Sequence, residues 1–470
     1  MFAKIQRVHF VGIGGIGMSG IAEVLLNLGF KISGSDLKGS SVTQRLAGLG
    51  AVIFEGHRAE NVTDVEVVVT SSAISPDNPE VTEARKLHIP VIQRAEMLAE
   101  LMRLKYGIAI AGMHGKTTTT SMVAAVLAAG GLDPTVVVGG RVDALGSNAR
   151  LGKSQYLVAE ADESDRSFLK LSPILSVVTN IDREHMDCYR NMRDVKRAFV
   201  EFMDRVPFYG MVVACNDDPL LRRLLTTIRR RAMTYGTRRG SDFLIKPGKS
   251  VIPQGEDRPT NDFQVTYRGN DLGEFRLHVP GMHNILNATA AIAVGIGLDV
   301  SVEQIREALD TFRGVDRRFQ LRGKAAGISV IDDYGHHPTE ICATLAAAKQ
   351  CGFRKIHVIF QPHRYTRTRD MMDEFVTAFG NADSLFVLDI YAASEQPIEG
   401  VNSEALAQNI RDKGRREAIY ASSFADAIDG ISALALDGDM VLTLGAGSVS
   451  QIGPMILQKL QVLEPSAHAN

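Results

Sequence analysis

One segment of the sequence combines glycines, a lysine and hydroxyl side chains in an order that suits a phosphate ligand. It follows an apolar run typical of a buried strand and reads Gly112-Met113-His114-Gly115-Lys116-Thr117-Thr118. Backbone N–H groups at a helix start, together with a lysine, hold nucleotide phosphates, and a threonine hydroxyl can hold Mg²⁺. A complete Walker pattern has a glycine five residues before Gly115, where this chain has Ile110. We therefore predict an incomplete Walker-type loop for ATP, with the Lys116 side chain facing solvent.

A second glycine-rich turn lies near the N-terminus. Gly12, Gly14 and Gly17 form G-x-G-x-x-G between a predicted strand and a predicted helix, and Asp36 ends the next strand. This spacing lets backbone N–H groups approach a diphosphate, with an acid placed near a ribose. These residues alone allow three interpretations. The turn could bind NAD(P), it could bind another diphosphate ligand, or it could serve only the packing of strand against helix.

Two other predicted strands end in polar clusters. One runs into the segment from Glu160 to Asp165, which holds four carboxylates, and the other into the segment from Asn180 to Asp187, which contains His185. Ligands of open α/β sheets bind at the carboxyl ends of the strands, so both clusters should lie near the lysine loop. Such clusters are commonly solvated loops or helix caps. Beside a phosphate loop, a Mg²⁺ site is the better interpretation, since Mg²⁺ prefers oxygen ligands and accepts an occasional imidazole.

The last third of the chain repeats this arrangement with histidines and arginines. The segments from Asp332 to Pro338 and from Gln361 to Thr368 both follow predicted strands. A guanidinium group pairs bidentately with a carboxylate or a phosphate, although exposed arginines are usually just solvated. The repeated position at strand ends favours a binding site.

Three successive sets of strands and helices must position these residues. Examples are the strand Val8 to Val11, the helix Thr117 to Ala129 and the strand Ile356 to Phe360. Short runs with Gly, Pro and Asp breaks between Gly240 and Pro280 indicate antiparallel strands inserted in the second set. We therefore predict an α/β fold with three tandem domains at residues 1–106, 107–314 and 315–470.

Composition narrows the class of partner. The 470 residues include 52 Lys and Arg and 54 Asp and Glu. With these numbers nearly equal, the chain has no overall positive potential that would attract nucleic acid. The longest apolar runs have strand length, and no signal peptide is recognisable, so we expect a cytoplasmic protein without a membrane segment. The four cysteines lack metal or disulfide spacing; they are Cys188, Cys215, Cys342 and Cys351. Small molecules are the expected partners.

The chain resembles the Mur ligases along essentially its whole length. Eight segments carry the resemblance, in order: HFVGIGGIGMSGIAEVL, GMHGKTTTT, AEADESD, TNIDREHMD, GMHNILNATAA, RGVDRRF, DDYGHHPTE and QPHRYTRT. The resemblance implies a Rossmann-like UDP-sugar domain, a central ATPase-type domain and a Rossmann-like amino-acid domain. It also implies an ATP-dependent ligase of peptidoglycan synthesis that joins L-alanine to the lactyl carboxylate of UDP-N-acetylmuramate through an acyl phosphate. The glycine turn then serves the UDP diphosphate, which argues against NAD.

Residue roles follow from the same resemblance. For the UDP-sugar it implies Gly12, Gly14, Gly15, Gly17, Asp36, Ser71 and Ser72. For ATP it implies Gly112, Met113, His114, Gly115, Lys116, Thr117, Thr118, Asn284, Asn287 and Asp333. The implied catalytic residues are Lys116, Glu160, His185 and Arg318, and the ligands of Mg²⁺, or alternatively Mn²⁺, are Thr117, Glu160 and His185. The amino-acid side is assigned to Tyr334, His336, His363, Arg364 and Arg367.

Three other functions are compatible with part of this sequence. An NAD-dependent dehydrogenase leaves the lysine loop unexplained, and an ATP-regulated binding module has no need for acids beside that loop. A ligase that attaches a recycled murein tripeptide shares the sugar and ATP motifs, but the IGGIGM turn and QPHRYTRT favour L-alanine. We expect a monomer or a weak homodimer that binds neither nucleic acid nor membrane.

Overall fold

The computed structural model describes residues 5–71, 73–142, 147–251, 259–414 and 417–463. The chain divides into two compact units. The first comprises Met1–Lys246, Gln264–Phe275 and Leu286–Phe312, and the second comprises Pro247–Phe263, Arg276–Ile285 and Arg313–Asn470. None of the helices in the described ranges has the length and apolar character needed to cross a lipid bilayer.

The N-terminal part of the first unit is a five-stranded parallel sheet with the order β3-β2-β1-β4-β5. Its strands are β1 (Arg7–Val11), β2 (Lys31–Asp36), β3 (Val52–Glu55), β4 (Val67–Thr70) and β5 (Val91–Gln93), and its helices are α1 (Ile16–Asn27), α2 (Ser41–Gly48), α3 (Pro79–Lys86) and α4 (Arg94–Arg103). The order reverses on either side of β1, so the glycine turn after β1 lies at the position where open α/β sheets bind ligands.

A ten-stranded sheet follows, with the order β15-β14-β13-β12-β11-β10-β6-β9-β7-β8. Its strands are β6 (Tyr106–Ala111), β7 (Thr135–Val142), β8 (Ser147–Arg150), β9 (Tyr156–Glu160), β10 (Leu175–Val178), β11 (Met211–Cys215), β12 (Ala232–Gly236), β13 (Phe243–Val251), β14 (Thr260–Tyr267) and β15 (Asn270–Leu277). The helices are α5 (Lys116–Ala129), α6 (Met192–Asp204), α7 (Pro219–Leu224), α8 (Met282–Gly297) and α9 (Val302–Thr311). β6 pairs in parallel with both β9 and β10, which aligns the ends of the three strands that carry the predicted lysine and acidic segments.

The second unit contains a six-stranded sheet with the order β16-β17-β21-β18-β19-β20, in which only the β16–β17 pair is antiparallel among the described strands. The strands are β16 (Gln320–Ala325), β17 (Ile328–Asp333), β18 (Ile356–Phe360), β19 (Ser384–Val387), β20 (Ala418–Tyr420) and β21 (Met440–Leu444). The helices are α10 (Pro338–Gln350), α11 (Tyr365–Asp370), α12 (Met372–Ala378), α13 (Ser403–Gly414), α14 (Phe424–Leu434) and α15 (Ile452–Leu463).

Strand β18 shows why this sheet is covered by helices on both faces. Val358 and Phe360 belong to one buried apolar cluster, which includes residues of α10, α12 and α13. Ile359 belongs to another, which includes residues of α14 and α15. Successive strand residues point to opposite faces, so a run such as IHVIF, in which all five residues are buried, requires a helical layer on each face. The predicted class, three α/β domains with mainly parallel sheets and a mixed central sheet, is confirmed.

Candidate active site

The lysine loop joins β6 to α5. Gly112 has a φ of +132° and Gly115 a φ of +83°, conformations that favour glycine. A Cβ on Gly112 would lie 2.0 Å from Thr179 Oγ1, so this position has no room for a side chain. The loop is also held from outside, because His114 N–H donates to Asn180 Oδ1 at 2.9 Å and Asn180 Nδ2 donates to the His114 carbonyl at 2.9 Å. The end of β10 thus fixes the loop.

The Lys116 side chain is directed into the loop and not into solvent. Its Nζ donates to the Gly112 carbonyl at 2.7 Å, the Met113 carbonyl at 3.3 Å and Glu163 Oε1 at 2.6 Å. Only 18% of the Lys116 side chain is exposed, and the Glu163 side chain is fully buried. The predicted solvent-facing lysine is therefore wrong, because the acidic segment after β9 folds back over the loop.

Charges around Lys116 shift one another. Burial lowers the pKa of Lys116, but the carboxylates of Glu163, Asp162 and Glu160 outweigh it and raise the pKa above its ordinary value. Burial also raises the pKa of Glu163 in spite of the adjacent ammonium. Asp162 differs, because Lys116, Ser164 and Arg94 outweigh its burial and lower its pKa to about 2. The lysine therefore stays charged among carboxylates.

A cavity of about 310 Å³ connects the lysine loop with the glycine turn of the first sheet. Its lining includes Lys116, Glu160, Asp162, Gly17 and Arg94. Arg94 is the first residue of α4, and its Nη2 donates to Asp162 Oδ2 at 3.1 Å. The first unit thus brings the predicted diphosphate turn and the predicted ATP loop to one cavity, with cationic and carboxylate groups on its wall.

The glycine turn after β1 is held by the end of β2. Gly12 N–H and Ile13 N–H donate to the Ser35 carbonyl at 2.8 and 2.9 Å. The Asp36 carboxylate accepts from Gly14 N–H and Leu37 N–H, both at 2.8 Å. In this structure Asp36 therefore shapes the turn, and its proposed contact with a ribose stays a prediction.

A smaller cavity of about 170 Å³ adjoins the turn. Gly15, Gly17, Ser71 and Arg94 are among its lining residues. This groups Ser71 with the turn, as the predicted UDP-sugar site requires. Ser72, which was predicted for the same site, lies outside the described residues.

Histidines lie at two sides of the lysine loop. His114 Nε2 is 3.0 Å from Asp182 Oδ2, which joins the loop to the segment after β10. His185 has a φ of +57°, and its Nε2 lies 3.7 Å from Glu163 Oε1 and 3.9 Å from Glu184 Oε2. His185 is thus within a few ångströms of the carboxylate that holds Lys116. Thr117 follows Lys116 in the first turn of α5 and is half-buried.

Asn287 belongs to the same unit as the lysine loop. A Cβ on Gly115 would lie 2.7 Å from Asn287 Oδ1, so the loop and the Asn287 side chain are in close contact. Met113 and Thr118, both predicted for ATP, are buried. Asn284 falls in the second unit, where it is buried and its Nδ2 donates to the Pro280 carbonyl at 2.7 Å.

The second unit groups the residues predicted for the amino-acid side. The centres of the His336 and His363 rings lie 5.5 Å apart, and His336 Nδ1 is 3.1 Å from the Tyr334 carbonyl oxygen. Arg367 Nη1 donates to the His363 carbonyl at 3.0 Å. Arg364 caps α11 with a φ of +73°, and its N–H donates to the Tyr391 carbonyl at 2.9 Å. One cluster at the ends of β17 and β18 thus contains all five predicted residues.

Arg318 and Asp333 flank this cluster. The Arg318 guanidinium lies 5.0 Å from the Tyr334 ring centre, and its Nη1 is 3.7 Å from Glu340 Oε1. Asp333 is buried and accepts from Phe319 N–H and Gly335 N–H, both at 2.8 Å. Burial raises the pKa of Asp333. Its predicted contact with the ATP ribose stays a prediction, because both carboxylate oxygens serve the protein here.

Comparison with known proteins gives the family. The models described as "Mur ligase family, catalytic domain", "Mur ligase middle domain" and "Mur ligase, glutamate ligase domain" match residues 7–106, 110–295 and 317–447. The UDP-N-acetylmuramate–L-alanine ligase of Koribacter versatilis is 71% identical over 471 residues, with 99% of this chain and 100% of the relative covered. The chain belongs to the Mur ligase family.

Further relatives agree with this Mur ligase assignment. The UDP-N-acetylmuramate–L-alanine ligase of Acidobacterium capsulatum is 64% identical, with 99% of this chain and 100% of the relative covered. The crystal structure of the UDP-N-acetylmuramate-alanine ligase of Thermotoga maritima has a TM-score of 0.80 at 30% identity, with 97% and 100% coverage. A murein peptide ligase from Psychrobacter arcticus has a TM-score of 0.68 at 23% identity, with 97% and 99% coverage, a likeness of fold alone.

As a Mur ligase, the chain has groups that fit ATP and a hard cation. Helix α5 begins at Lys116 and directs its first N–H groups toward the loop, an arrangement that commonly binds phosphate groups in proteins. The Thr117 hydroxyl and the Glu160 carboxylate are oxygen donors of the kind that Mg²⁺ prefers. The donor set fits Mg²⁺.

Sequence reasoning left two charged residues of this site unassigned. Glu163 was recognised only as one acid in a cluster, and the spacing could not tell which carboxylate turns toward Lys116. Arg94 begins an ordinary amphipathic helix, RAEMLAELMR, and nothing in that pattern marks it. Its approach to Gly17, with a Cβ there 2.2 Å from Arg94 Nη1, arises from packing between segments distant in sequence.

Proposed function

We propose that this Mur ligase joins L-alanine to the lactyl carboxylate of UDP-N-acetylmuramate and that ATP is cleaved to ADP and phosphate in the process. The observation that carries the proposal is the full-length 71% identity to a relative named for that reaction, together with the cavity that Lys116 shares with the glycine turn. A reaction that consumes ATP and a UDP-sugar favours the cytoplasm.

The first chemical step needs two anions to meet. A carboxylate oxygen of the sugar attacks the γ-phosphorus of ATP, the bond to ADP breaks, and an acyl phosphate forms. The Lys116 ammonium, with Arg94 on the same cavity wall, lowers the repulsion between the carboxylate and the phosphates. A Mg²⁺ held by Thr117, Glu160 and His185 would supply further charge neutralisation. Positioning by the two loops supplies the remaining advantage.

The second step forms the amide. The amine of L-alanine attacks the acyl carbon, the bond to phosphate breaks, and the amine loses a proton. Arg364, Arg367 and the pair His336 and His363 are suited to the carboxylate of the amino acid, because guanidinium and imidazole groups donate hydrogen bonds to it. Either an imidazole of this cluster or the leaving phosphate takes the proton.

Phosphate release from ATP tests the assignment. We expect release that requires both UDP-N-acetylmuramate and an amino acid, with L-alanine preferred over glycine by about ten- to two-hundred-fold, the range that one methyl group can provide. L-Serine should be a weak substrate. Preference for the tripeptide L-alanyl-γ-D-glutamyl-diaminopimelate would instead assign the chain to murein recycling, and release that does not require the sugar would contradict the proposal.

A further inference from the structure

All hydrogen-bond donors of the Lys116 ammonium are used inside the protein. An ammonium group has three N–H bonds, and Lys116 directs them to the carbonyls of Gly112 and Met113 and to the carboxylate of Glu163. The contact with Glu163 is the shortest of these, at 2.6 Å, and the only one to a charged acceptor. A phosphate that binds this lysine must therefore replace one of these acceptors.

Glu163 is held rigidly where it meets the lysine. Its side chain is fully buried, and its carbonyl accepts from the Tyr189 hydroxyl at 2.7 Å. Its second carboxylate oxygen, Oε2, is buried without a hydrogen-bond partner among the described residues. A carboxylate oxygen carries negative charge and accepts a hydrogen bond from an ammonium group, as a phosphate oxygen does.

We propose that Glu163 is a positioning residue for ATP, one that holds the Lys116 ammonium at the loop as a stand-in for phosphate and releases it when the nucleotide binds. This inference rests on the proposed ATP-dependent function and deepens it. Glu163 keeps the lysine extended and charged before the nucleotide binds. Part of the attraction between Lys116 and the phosphate then offsets the cost of separating Lys116 from Glu163.

The sign of the effect follows from this competition. Glu163→Gln keeps the shape of the side chain but removes its charge, so the nucleotide displaces it more easily. The dissociation constant of ATP should fall roughly tenfold, because the hydrogen bond that ATP must break then goes to a neutral acceptor and not to a charged one. Tighter binding of substrate and transition state alike lowers KM without raising kcat. A residue with a merely structural role would raise KM when changed.

Asp162→Asn is the matched control. The Asp162 carboxylate is also attracted to the Lys116 ammonium. It accepts hydrogen bonds from Ser164 and Arg94, however, and none from the lysine among those described. If tighter binding arises only from removing a negative charge near the phosphates, both variants will tighten ATP binding equally. If it arises from the Lys116–Glu163 pair, Glu163→Gln will have clearly the larger effect.

The experiment is isothermal titration of ATP into wild type, Glu163→Gln and Asp162→Asn in EDTA, which removes metal ions and any role that Glu163 has in binding them. The proposal expects tenfold tighter binding by Glu163→Gln and a smaller change for Asp162→Asn. Unchanged or weaker binding by Glu163→Gln, or equal tightening by both variants, would overturn it while leaving the ligase assignment in place. Absence of ATP binding by wild type in Mg²⁺ as well as in EDTA would remove the proposed function too.

A folding control completes the design. Glu163→Ala is measured beside Glu163→Gln, and the melting temperature of each is compared with that of wild type. A folded variant of either kind decides the question by its affinity for ATP. Failure of both variants to fold would assign Glu163 a structural role and overturn the proposal.

Discussion

At the scale of single residues, the candidate site contains a largely buried ion pair between Lys116 and Glu163. Lys116 was predicted from its place after Gly115, but its partner could not be, because Glu163 is 47 positions away in sequence and reaches the lysine only through the β6–β9 pairing. We therefore expect Lys116 to contribute to folding as well as to the proposed chemistry. Removal of one partner of a buried ion pair leaves the other without compensation.

We therefore expect two separable effects from Lys116→Met. Turnover should be abolished, because the charge that faces the phosphates is lost. The free energy of unfolding should fall by about 3 kcal/mol, because Glu163 loses its partner. Addition of Glu163→Gln should restore most of the stability but none of the turnover. Urea unfolding measures the stability of each variant, and phosphate release measures its turnover. A Lys116→Met protein as stable as wild type would contradict the expected role of the ion pair.

Gly17 gives a second prediction at this scale. A Cβ there would meet the Arg94 guanidinium, which can move because it ends a flexible side chain. We expect Gly17→Ala to fold normally but to raise KM for the UDP-sugar several-fold by shifting Arg94. Gly48→Ala is the control, since nothing lies within 4 Å of a Cβ at that position. Equal kinetics for both variants would remove Arg94 and Gly17 from the site.

At the scale of elements, strands and helices were largely predictable where residues repeat with a clear period. The predicted strand at Ile356–Phe360 has the observed bounds, and the helix predicted from Thr117 to Ala129 begins one residue earlier, at Lys116. Apolar runs bounded by turn residues leave little freedom there. The polar networks that lock the ends of these elements were not predictable, because their members come from separate strands and helices. One of these networks, in the first sheet, surrounds Glu80.

Glu80, at the start of α3, joins the first two strands. Its buried carboxylate accepts from Ser35 Oγ at 2.6 Å and Asn61 Nδ2 at 2.6 Å, and it lies 3.4 Å from His9 Nε2 and 3.0 Å from His57 Nδ1. Burial raises its pKa, but the hydrogen bonds from His9, Ser35 and Asn61 outweigh burial and lower it to about 2. Since the Ser35 carbonyl holds the glycine turn, this network supports the predicted UDP-sugar site.

The lowered pKa fixes the direction of a pH effect. The pKa of Glu80 in the folded state, about 2, lies below its ordinary value of 4.5, so its contribution to stability is complete above pH 4.5 and is lost as the pH falls toward 2. Glu80→Gln should therefore destabilise the protein at neutral pH, and the difference from wild type should shrink below pH 4.5. Glu83→Gln, on the same helix but partly exposed, should change little. A difference independent of pH in urea unfolding would contradict the prediction.

At the scale of the whole molecule, the residues predicted to activate the carboxylate and those predicted for the amino-acid side belong to different units. Lys116, Glu160 and the glycine turn belong to the first unit, and the cluster around His336 and His363 belongs to the second. In the proposed reaction the carboxylate must be activated before the amine can attack, so we expect the groups of the first unit to act before those of the second. The fold class and the family could be predicted from the sequence, since eight motifs occur in order along the chain.

Transfer of an isotope from the substrate carboxylate to phosphate shows whether the reaction passes through an acyl phosphate. UDP-N-acetylmuramate labelled with ¹⁸O in both lactyl carboxylate oxygens is incubated with ATP, L-alanine and the enzyme, and the phosphate and the product are analysed by mass spectrometry. Activation as an acyl phosphate predicts one ¹⁸O in each phosphate released and one in the new amide of UDP-N-acetylmuramoyl-L-alanine. Phosphate without label, or phosphate release without the alanyl product, would contradict the account.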